Sequence, residues 1–540
     1  MSACHTGPFI AGARSGYGRT EAHPYVIPAF AGIQEDGARW RVSSCSWHSP
    51  GLGIGRGLSR GRSRRYICLR RMAWLRVSGI RSDGESVMAG EEGGRRGWLA
   101  LVVLLFGAIL VAGRLVPAVR WFFRQRADRV VEEVGRKGIE LPAFKLTRRG
   151  ALIHRLTHDP ELLEAAEAYA RENGISMAVA MARIERYGRE IVPSFNAFLY
   201  FRVGIPLARW ISRSLYDVRA GSKRGLAALD ENTLEDVSVV FVMNHRSNID
   251  YVLLAHLMAH RTALSYAAGE WAHVWPLGRL VGGMGAFFVR RGSGDDLYRR
   301  VLERFVQMAV EGGLTQVFFP EGGLSRDGKP REPKVGLLDY MFRRFDPEVC
   351  DILFVPVGVN YDWVLEDHSL LQPGGPEAGI RGRGGLLASA TGSTLRNLLL
   401  ARRGGSFHLG TAAVGIGTPV SAREYAASRG VEFRELERED RIEEVKVLAR
   451  LLMRTINDSI PPAAVPLVAR VLIEAPERTL PEDVLISRAR SLTQGEASLD
   501  YEAALRTLVL RRLVLAERGE YRPAPDGERM LVYYANSAYR

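Results

Sequence analysis

Between residues 236 and 365 short apolar runs alternate with helical stretches, and this alternation constrains the fold more than any other feature. Val237-Ser238-Val239-Val240-Phe241-Val242-Met243 is apolar except for Ser238, which predicts a strand buried on both faces. After a helix, Gly285-Ala286-Phe287-Phe288-Val289 reads as a second strand. A helix at about 295–311 leads to a third, Thr315-Gln316-Val317-Phe318-Phe319, and Ile352-Leu353-Phe354-Val355-Pro356-Val357-Gly358-Val359 is a fourth. Strands alternating with helices predict an α/β sheet covered on both faces, with reactive loops at the strand ends.

The flanks read as helical. Asp159-Pro160 is a cap followed by proline at the first helical position, and Gly174 separates this helix from one running to about 190. Beyond 406, Ala412-Ala413-Val414-Gly415-Ile416 is strand-like, and helices are expected at about 437–458, 463–473 and 497–514. Residues 375–405 contain Gly-rich and Arg-bearing pieces and read as a loop or excursion. Four cysteines (4, 45, 68 and 350) form no CxxC and no metal-like spacing with histidine, which suits a reducing compartment.

The net charge of +14 suggests an anionic partner, but it is unevenly spread. Residues 1–87 hold 13 arginines, no lysine and 5 acidic residues, a balance of +8 that leaves +6 for residues 88–540. This Gly-, Arg- and Ser-rich stretch has no sustained period. It is either a basic tail for RNA or anionic lipid, or a disordered or mistranslated extension read from an early start. The second reading is favoured, because the first lysine of the chain is Lys137 and Met88 opens a plausible protein.

Residues 97–113 carry no charge, and after Arg114 another uncharged run reaches Val119. A bilayer core of ~30 Å needs about 20 apolar residues, so 97–119 suffices as a span or anchor when Arg114 snorkels. The arginines that follow place that flank on the cytoplasmic side. A second membrane contact is expected at 195–218, where Phe198, Tyr200, Phe201, Trp210 and Ile211 interleave with Arg202, Arg209 and Arg213. A buried helix with an Arg-bearing solvent face is the alternative.

Four segments carry chemistry. In Asn244-His245-Arg246-Ser247-Asn248-Ile249-Asp250, His and Asp five positions apart do not share a helical face. They meet only if His245 sits on the strand-end loop and Asp250 in the first turn of the next helix, with Ser247 and Asp250 in a capping arrangement. An imidazole held by a carboxylate is a competent general base. Arg290-Arg291, at the end of the second strand, offer forked donors for a phosphate, or form a solvated charge pair. Glu321-Gly322-Gly323-Leu324-Ser325-Arg326-Asp327-Gly328-Lys329 follows the third strand. Its glycines let backbone N–H groups approach an anion, with Ser325, Arg326 and Lys329 beside them, though an ordinary polar turn has the same composition. Val355-Pro356-Val357-Gly358-Val359-Asn360-Tyr361-Asp362 alone would pass for a core strand and its exit.

In this order and spacing the four segments resemble the four blocks of the glycerolipid acyltransferase family, and look closest to bacterial glycerol-3-phosphate and dihydroxyacetone-phosphate acyltransferases. The resemblance covers 190–365 best, and the terminal Tyr533-Tyr534-Ala535-Asn536-Ser537 also fits. It implies an α/β fold with a mixed sheet flanked by helices. It implies His245 as the base for the acceptor hydroxyl, oriented by Asp250, and attack on the thioester of acyl-CoA or acyl-carrier protein. It further implies that Arg290 or Arg291 and the block Glu321, Gly322, Gly323, Ser325, Arg326 hold the acceptor phosphate. Lys329 or Arg331 would compensate for Leu324, which stands where many such enzymes carry Arg. The implied acceptor is glycerol 3-phosphate, with lysophosphatidate as alternative, and the implied place is the cytoplasmic side of the bacterial inner membrane. No metal, cofactor or nucleic acid is expected. The domains are then the extension at 1–87, the membrane segment at 97–119, a helical flank at 140–192, a catalytic domain at 193–420 and a helical C-terminal region at 421–540. Two other readings remain open: a hydrolase using Ser247 or water, which lacks a GxSxG elbow, and a non-catalytic membrane- or nucleic-acid-binding protein.

Overall fold

The computed structural model describes residues 117–139, 141–221, 237–269, 277–290, 294–371, 397, 408–493 and 499–538. The extension at 1–87 and residues 97–116 of the apolar segment lie outside these. Residues 117–119 open the helix Pro117–Gly135. No helix among the described residues is long and apolar enough to cross a membrane.

The strands are β1 (Asp217–Gly221), β2 (Val237–Met243), β3 (Ser265–Ala268), β4 (Phe287–Phe288), β5 (Gln316–Phe318), β6 (Asp351–Tyr361), β7 (Thr411–Ile416) and β8 (Val420–Ser421). They form one sheet in the order β1-β7-β6-β2-β5-β3-β4, with β8 beside β6. From β4 to β6 the strands run parallel. β7 and β8 turn against β6, so the sheet is mixed.

Side chains alternate faces along a strand, and both faces here are apolar. On β2, Val239, Phe241 and Met243 point into one core, with the helices Asp250–Leu257, Ala464–Glu474, Tyr501–Leu510 and Glu528–Ala535. Val240 and Val242 point into the other, with Met177–Ile191, Asp296–Glu311 and Arg438–Asp458. The long apolar runs of β2 and β6 therefore reflect burial on both sides.

The expected N-terminal flank is present as Arg149–Thr157, Pro160–Asn173 and Met177–Ile191. The Asp159 side chain caps the second of these, and Gly174 ends it at φ 62°. Two expectations, on the second strand and on the C-terminal region, need correction, and the segment at 195–218 takes a form that both of its readings allow. The second strand is only Phe287–Phe288 and pairs with β3, whose four residues carry too little β-branched signal to be read in advance. The segment at 195–218 is a π-helical turn, Leu199–Gly204, running into Ile205–Leu215 and then β1. One side of it packs on the helix Asp250–Leu257, while Trp210 and Leu207 stay 58% and 42% exposed. The C-terminal region is not all helical: β9 (Leu480–Pro481), β10 (Val514–Glu517) and β11 (Glu520–Pro523) form a small antiparallel sheet. The helix expected to 514 stops at Leu510.

Candidate active site

Parallel strands of an α/β sheet leave their reactive loops at their carboxyl ends, and β2 ends there in the His245 segment. Asn244 continues the β2–β6 ladder with its side chain: Nδ2 donates to the Val359 carbonyl (2.9 Å) and Oδ1 accepts from the Val359 N–H (2.7 Å). The loop beyond is buried, so its N–H groups need protein partners. His245 N donates to Glu321 Oε1 (3.1 Å), and Arg246 N and Ser247 N to Asp250 Oδ2 (2.8 and 3.0 Å). Asn248 N donates to Glu366 Oε1 (3.2 Å), Ile249 N to Ser247 Oγ (3.2 Å) and Asp250 N to the Ser247 carbonyl (3.1 Å). Three carboxylates thus fix the loop; of the expected cap only half forms, since Asp250 accepts from Ser247 N while Ser247 Oγ bonds Ile249 N instead of Asp250 N.

His245 Nδ1 lies 2.9 Å from Asp250 Oδ2, and Asp250 Oδ1 accepts a 2.5 Å bond from the Tyr361 hydroxyl. The imidazole stacks on Phe319 (centroids 3.8 Å, planes 22° apart) and meets Tyr251 edge-on (5.7 Å, 77°). With Nδ1–H given to Asp250, Nε2 presents its lone pair. Clamped this way, the ring can take up a proton without reorienting.

His245 lines a cavity of about 350 Å³ at the carboxyl ends of β2 to β5. Ala267 and Ala268 of β3, Val289 and Arg290 after β4, and Gly322 and Gly323 after β5 form other parts of its wall. Gly322 has φ +66°, a left-handed conformation that favours glycine. Arg290 is engaged already: Nε donates to Glu190 Oε1 (2.6 Å), NH2 pairs with Glu190 Oε2, and the guanidinium sits over the rings of Tyr298 (4.8 Å) and Tyr187 (5.5 Å).

The other expected residues divide. Glu321 is buried under the loop, holding His245 N and, through Oε2, Arg331 N (3.2 Å). Ser325 builds the turn: its N–H donates to the His245 carbonyl (3.0 Å), and its Oγ accepts from Gly328 N (3.1 Å) and donates to the Lys329 carbonyl (2.9 Å). Arg326 and Lys329 are exposed and lie away from the cavity wall, and Arg291 lies outside the described residues. The sequence reading missed Tyr361, Phe319, Tyr251 and Glu366. The Tyr361-Asp362 exit of the fourth segment and the aromatic before Pro320 were the available signals. Glu366 gave none, since its contact with Ser247 (Oγ to Oε2, 2.6 Å) spans 119 positions.

Burial pushes the Glu321 carboxyl up to about 7 against the donors that face it. Burial does the same to Glu366, again to about 7, with the Asp250 charge adding to the rise.

The C-terminus buttresses these loops. The Arg246 guanidinium lies 4.7 Å from the centroid of the Tyr533 ring and donates to the Gly328 carbonyl (2.8 Å). Asn536 Nδ2 donates to the Asp327 carbonyl (2.8 Å) and Asn360 Nδ2 to the Ser537 carbonyl (3.1 Å). The Tyr534 hydroxyl donates to Asp367 Oδ2 (2.6 Å) and accepts from Val364 N (2.9 Å). Among the described residues no group of three or more His, Cys, Asp or Glu is placed to hold a metal ion.

Residues 228–360 match the acyltransferase family model, and residues 394–507 match the model of the glycerol-3-phosphate acyltransferase C-terminal region. The first match contains His245, Asp250, Arg290 and the whole third segment. Curated relatives named glycerol-3-phosphate acyltransferase include one from Actinobacillus succinogenes, 28% identical over 369 residues, which cover 66% of this chain and 43% of the relative. Another, from Aeromonas hydrophila, is 30% identical over 353 residues, covering 63% of this chain and 42% of the relative. The chain thus spans less than half the length of the curated relatives it matches. A solved structure, the 1-acyl-sn-glycerophosphate (LPA) acyltransferase of Thermotoga maritima, aligns at 18% identity with a TM-score of 0.27, over 47% of this chain and 77% of that one. The acyltransferase match thus takes in the first three segments and the fourth as far as Asn360.

Proposed function

We propose that this chain transfers a fatty acyl group from acyl-CoA or acyl-carrier protein to the hydroxyl of glycerol 3-phosphate. The observation that carries the reading is the His245–Asp250 pair, 2.9 Å apart and opening onto a cavity at the strand ends. The family matches and the names of the relatives support the reaction class and the acceptor.

In this reading Nε2 of His245 takes the proton of the acceptor hydroxyl as its oxygen bonds to the thioester carbonyl carbon. The tetrahedral intermediate collapses, the C–S bond breaks, and the imidazolium returns the proton to the leaving thiolate. One ester and one thiol leave, so the step balances on the two substrates. Asp250 holds the tautomer and faces the imidazolium as it forms. The aromatic and aliphatic part of the wall, Phe319, Leu302 and Leu337, suits the acyl chain. The apolar segment at 97–119, with the exposed Trp210 and Leu207, supports placement at the cytoplasmic face of the inner membrane.

A second acceptor, lysophosphatidate, rests on one observation: Leu324, half-buried against the core, adds no cation to the third segment. The test is an assay of the chain in membranes with labelled acyl thioesters of both kinds and both acceptors. Ester formation on glycerol 3-phosphate, lost in His245→Ala, is expected. Transfer to neither acceptor would overturn the reading.

A further inference from the structure

A phosphorylated acceptor brings a dianion into the cavity, and something on its wall must meet that charge. Three cations line it: Arg290, Arg299 and Lys334. Arg290 is held by both oxygens of Glu190 and flanked by two tyrosine rings. Arg299 pairs with Asp296 one turn back on its own helix. Lys334 has no ion pair or side-chain hydrogen bond among the described residues.

Its position is built by the loop that carries the third segment. Lys334 N donates to the Pro320 carbonyl (2.8 Å), which folds residue 334 back over the start of the loop. The stem of the side chain then lies across Gly322: a Cβ there would fall 2.6 Å from Lys334 Cδ and 3.3 Å from Nζ. Gly322 is required for its φ of +66°, and the lysine stem fills the space that its missing side chain leaves. The same loop is tied to the catalytic segment through Glu321 Oε1 to His245 N and Ser325 N to the His245 carbonyl. Lysine, base and glycine backbone are thus presented to one cavity by mutually bonded loops. Lys329 and Arg331, the cations nearest in sequence to the turn, do not line it.

We infer that Lys334, laid over Gly322, binds the phosphate of the acceptor. This rests on the acyl-transfer reading above and names the group that makes that site select a phosphorylated alcohol. An ammonium is a compact point charge that meets a phosphate without a fixed fork geometry, and hydrogen bonds to charged groups are stronger than neutral ones.

The experiment compares the full chain with Lys334→Met, which keeps the stem over Gly322, and with Lys334→Arg. Each is assayed with glycerol 3-phosphate and, separately, with glycerol as acceptor. Loss of a charge-assisted phosphate contact predicts a KM for glycerol 3-phosphate raised about 10- to 100-fold in Lys334→Met. Partial recovery is expected in Lys334→Arg, and in both variants kcat/KM should fall much less on glycerol than on glycerol 3-phosphate. An unchanged KM for glycerol 3-phosphate, or an equal loss on glycerol, would overturn the assignment. Absence of transfer by the parent chain would instead remove the acyl-transfer reading on which it rests.

Discussion

At the scale of residues, the account turns on one imidazole and the groups that hold it. Asp250 accepts four hydrogen bonds, from His245 Nδ1, two backbone N–H groups and the Tyr361 hydroxyl. Tyr361→Phe removes one of them in a fully buried place, an unfilled acceptor that costs about 1–3 kcal/mol. The expected outcome in steady-state kinetics is a kcat lowered roughly 10-fold with the acceptor KM unchanged. An unaltered kcat would remove Tyr361 from the orienting chain. Glu366 gives a second prediction, in stability. Its folded carboxyl titrates at about 7 against 4.5 for an unperturbed glutamate, so the native state keeps a proton that the unfolded chain has lost. The contribution is full below about 4.5 and disappears as pH rises towards 7. At about 1.4 kcal/mol per pKa unit the loss is at most on the order of 3 kcal/mol. Glu366→Gln is neutral at every pH, so urea midpoints should move in favour of the variant between pH 4.5 and 8. A difference that stays constant over that range would contradict the buried-carboxyl account. His245 and Asp250 were legible as a pair because a strand ends just before one and a helix starts at the other. Glu366 and Lys334 were not: one is 119 positions from its partner Ser247, and the other acts through a glycine 12 positions earlier.

At the scale of elements, the same contrast decides what sequence could show. β2 and β6 were readable because strands buried on both faces leave long apolar runs. β3 was hidden because Ser265-Tyr266-Ala267-Ala268 draws its pairing from its neighbours β4 and β5. The hairpin of β10 and β11 was hidden by Glu517-Arg518-Gly519-Glu520, a charged turn in a stretch whose apolar spacing also fits a helix. The turn of the third segment carries a prediction of its own. Gly328 has φ +86°, and a Cβ there would come within 2.0 Å of the Tyr533 carbonyl oxygen. Gly328→Ala therefore strains the backbone and drives the turn off the C-terminal helix, a destabilisation of at least about 2 kcal/mol. Thermal unfolding checks it: a Tm equal to that of the parent would show that the turn and the helix are not in tight register.

At the scale of the whole molecule, the loops around His245 are supported by a segment more than 150 residues away in sequence. Tyr533, Tyr534, Asn536 and Ser537 contact Arg246, Asp367, Asp327 and Asn360. Arg511 adds a fully buried ion pair with Asp367 and lies 4.4 Å from the Trp363 ring centroid. Truncation after Gly527 keeps this pair but removes the Tyr534 hydroxyl that bonds both of its members, together with the Tyr533, Asn536 and Ser537 contacts. It should abolish activity and lower Tm, whereas an active, equally stable truncated chain would show the C-terminal helix to be dispensable. The central claim is general-base acyl transfer by His245, and the measurement that tests it most directly is single-turnover transfer of a labelled acyl group from a thioester to glycerol 3-phosphate. The parent chain should form the labelled ester, and His245→Ala, folded to the same Tm, should form it at least about 100-fold more slowly. Equal rates for the two, or no ester from the parent chain, would contradict the account.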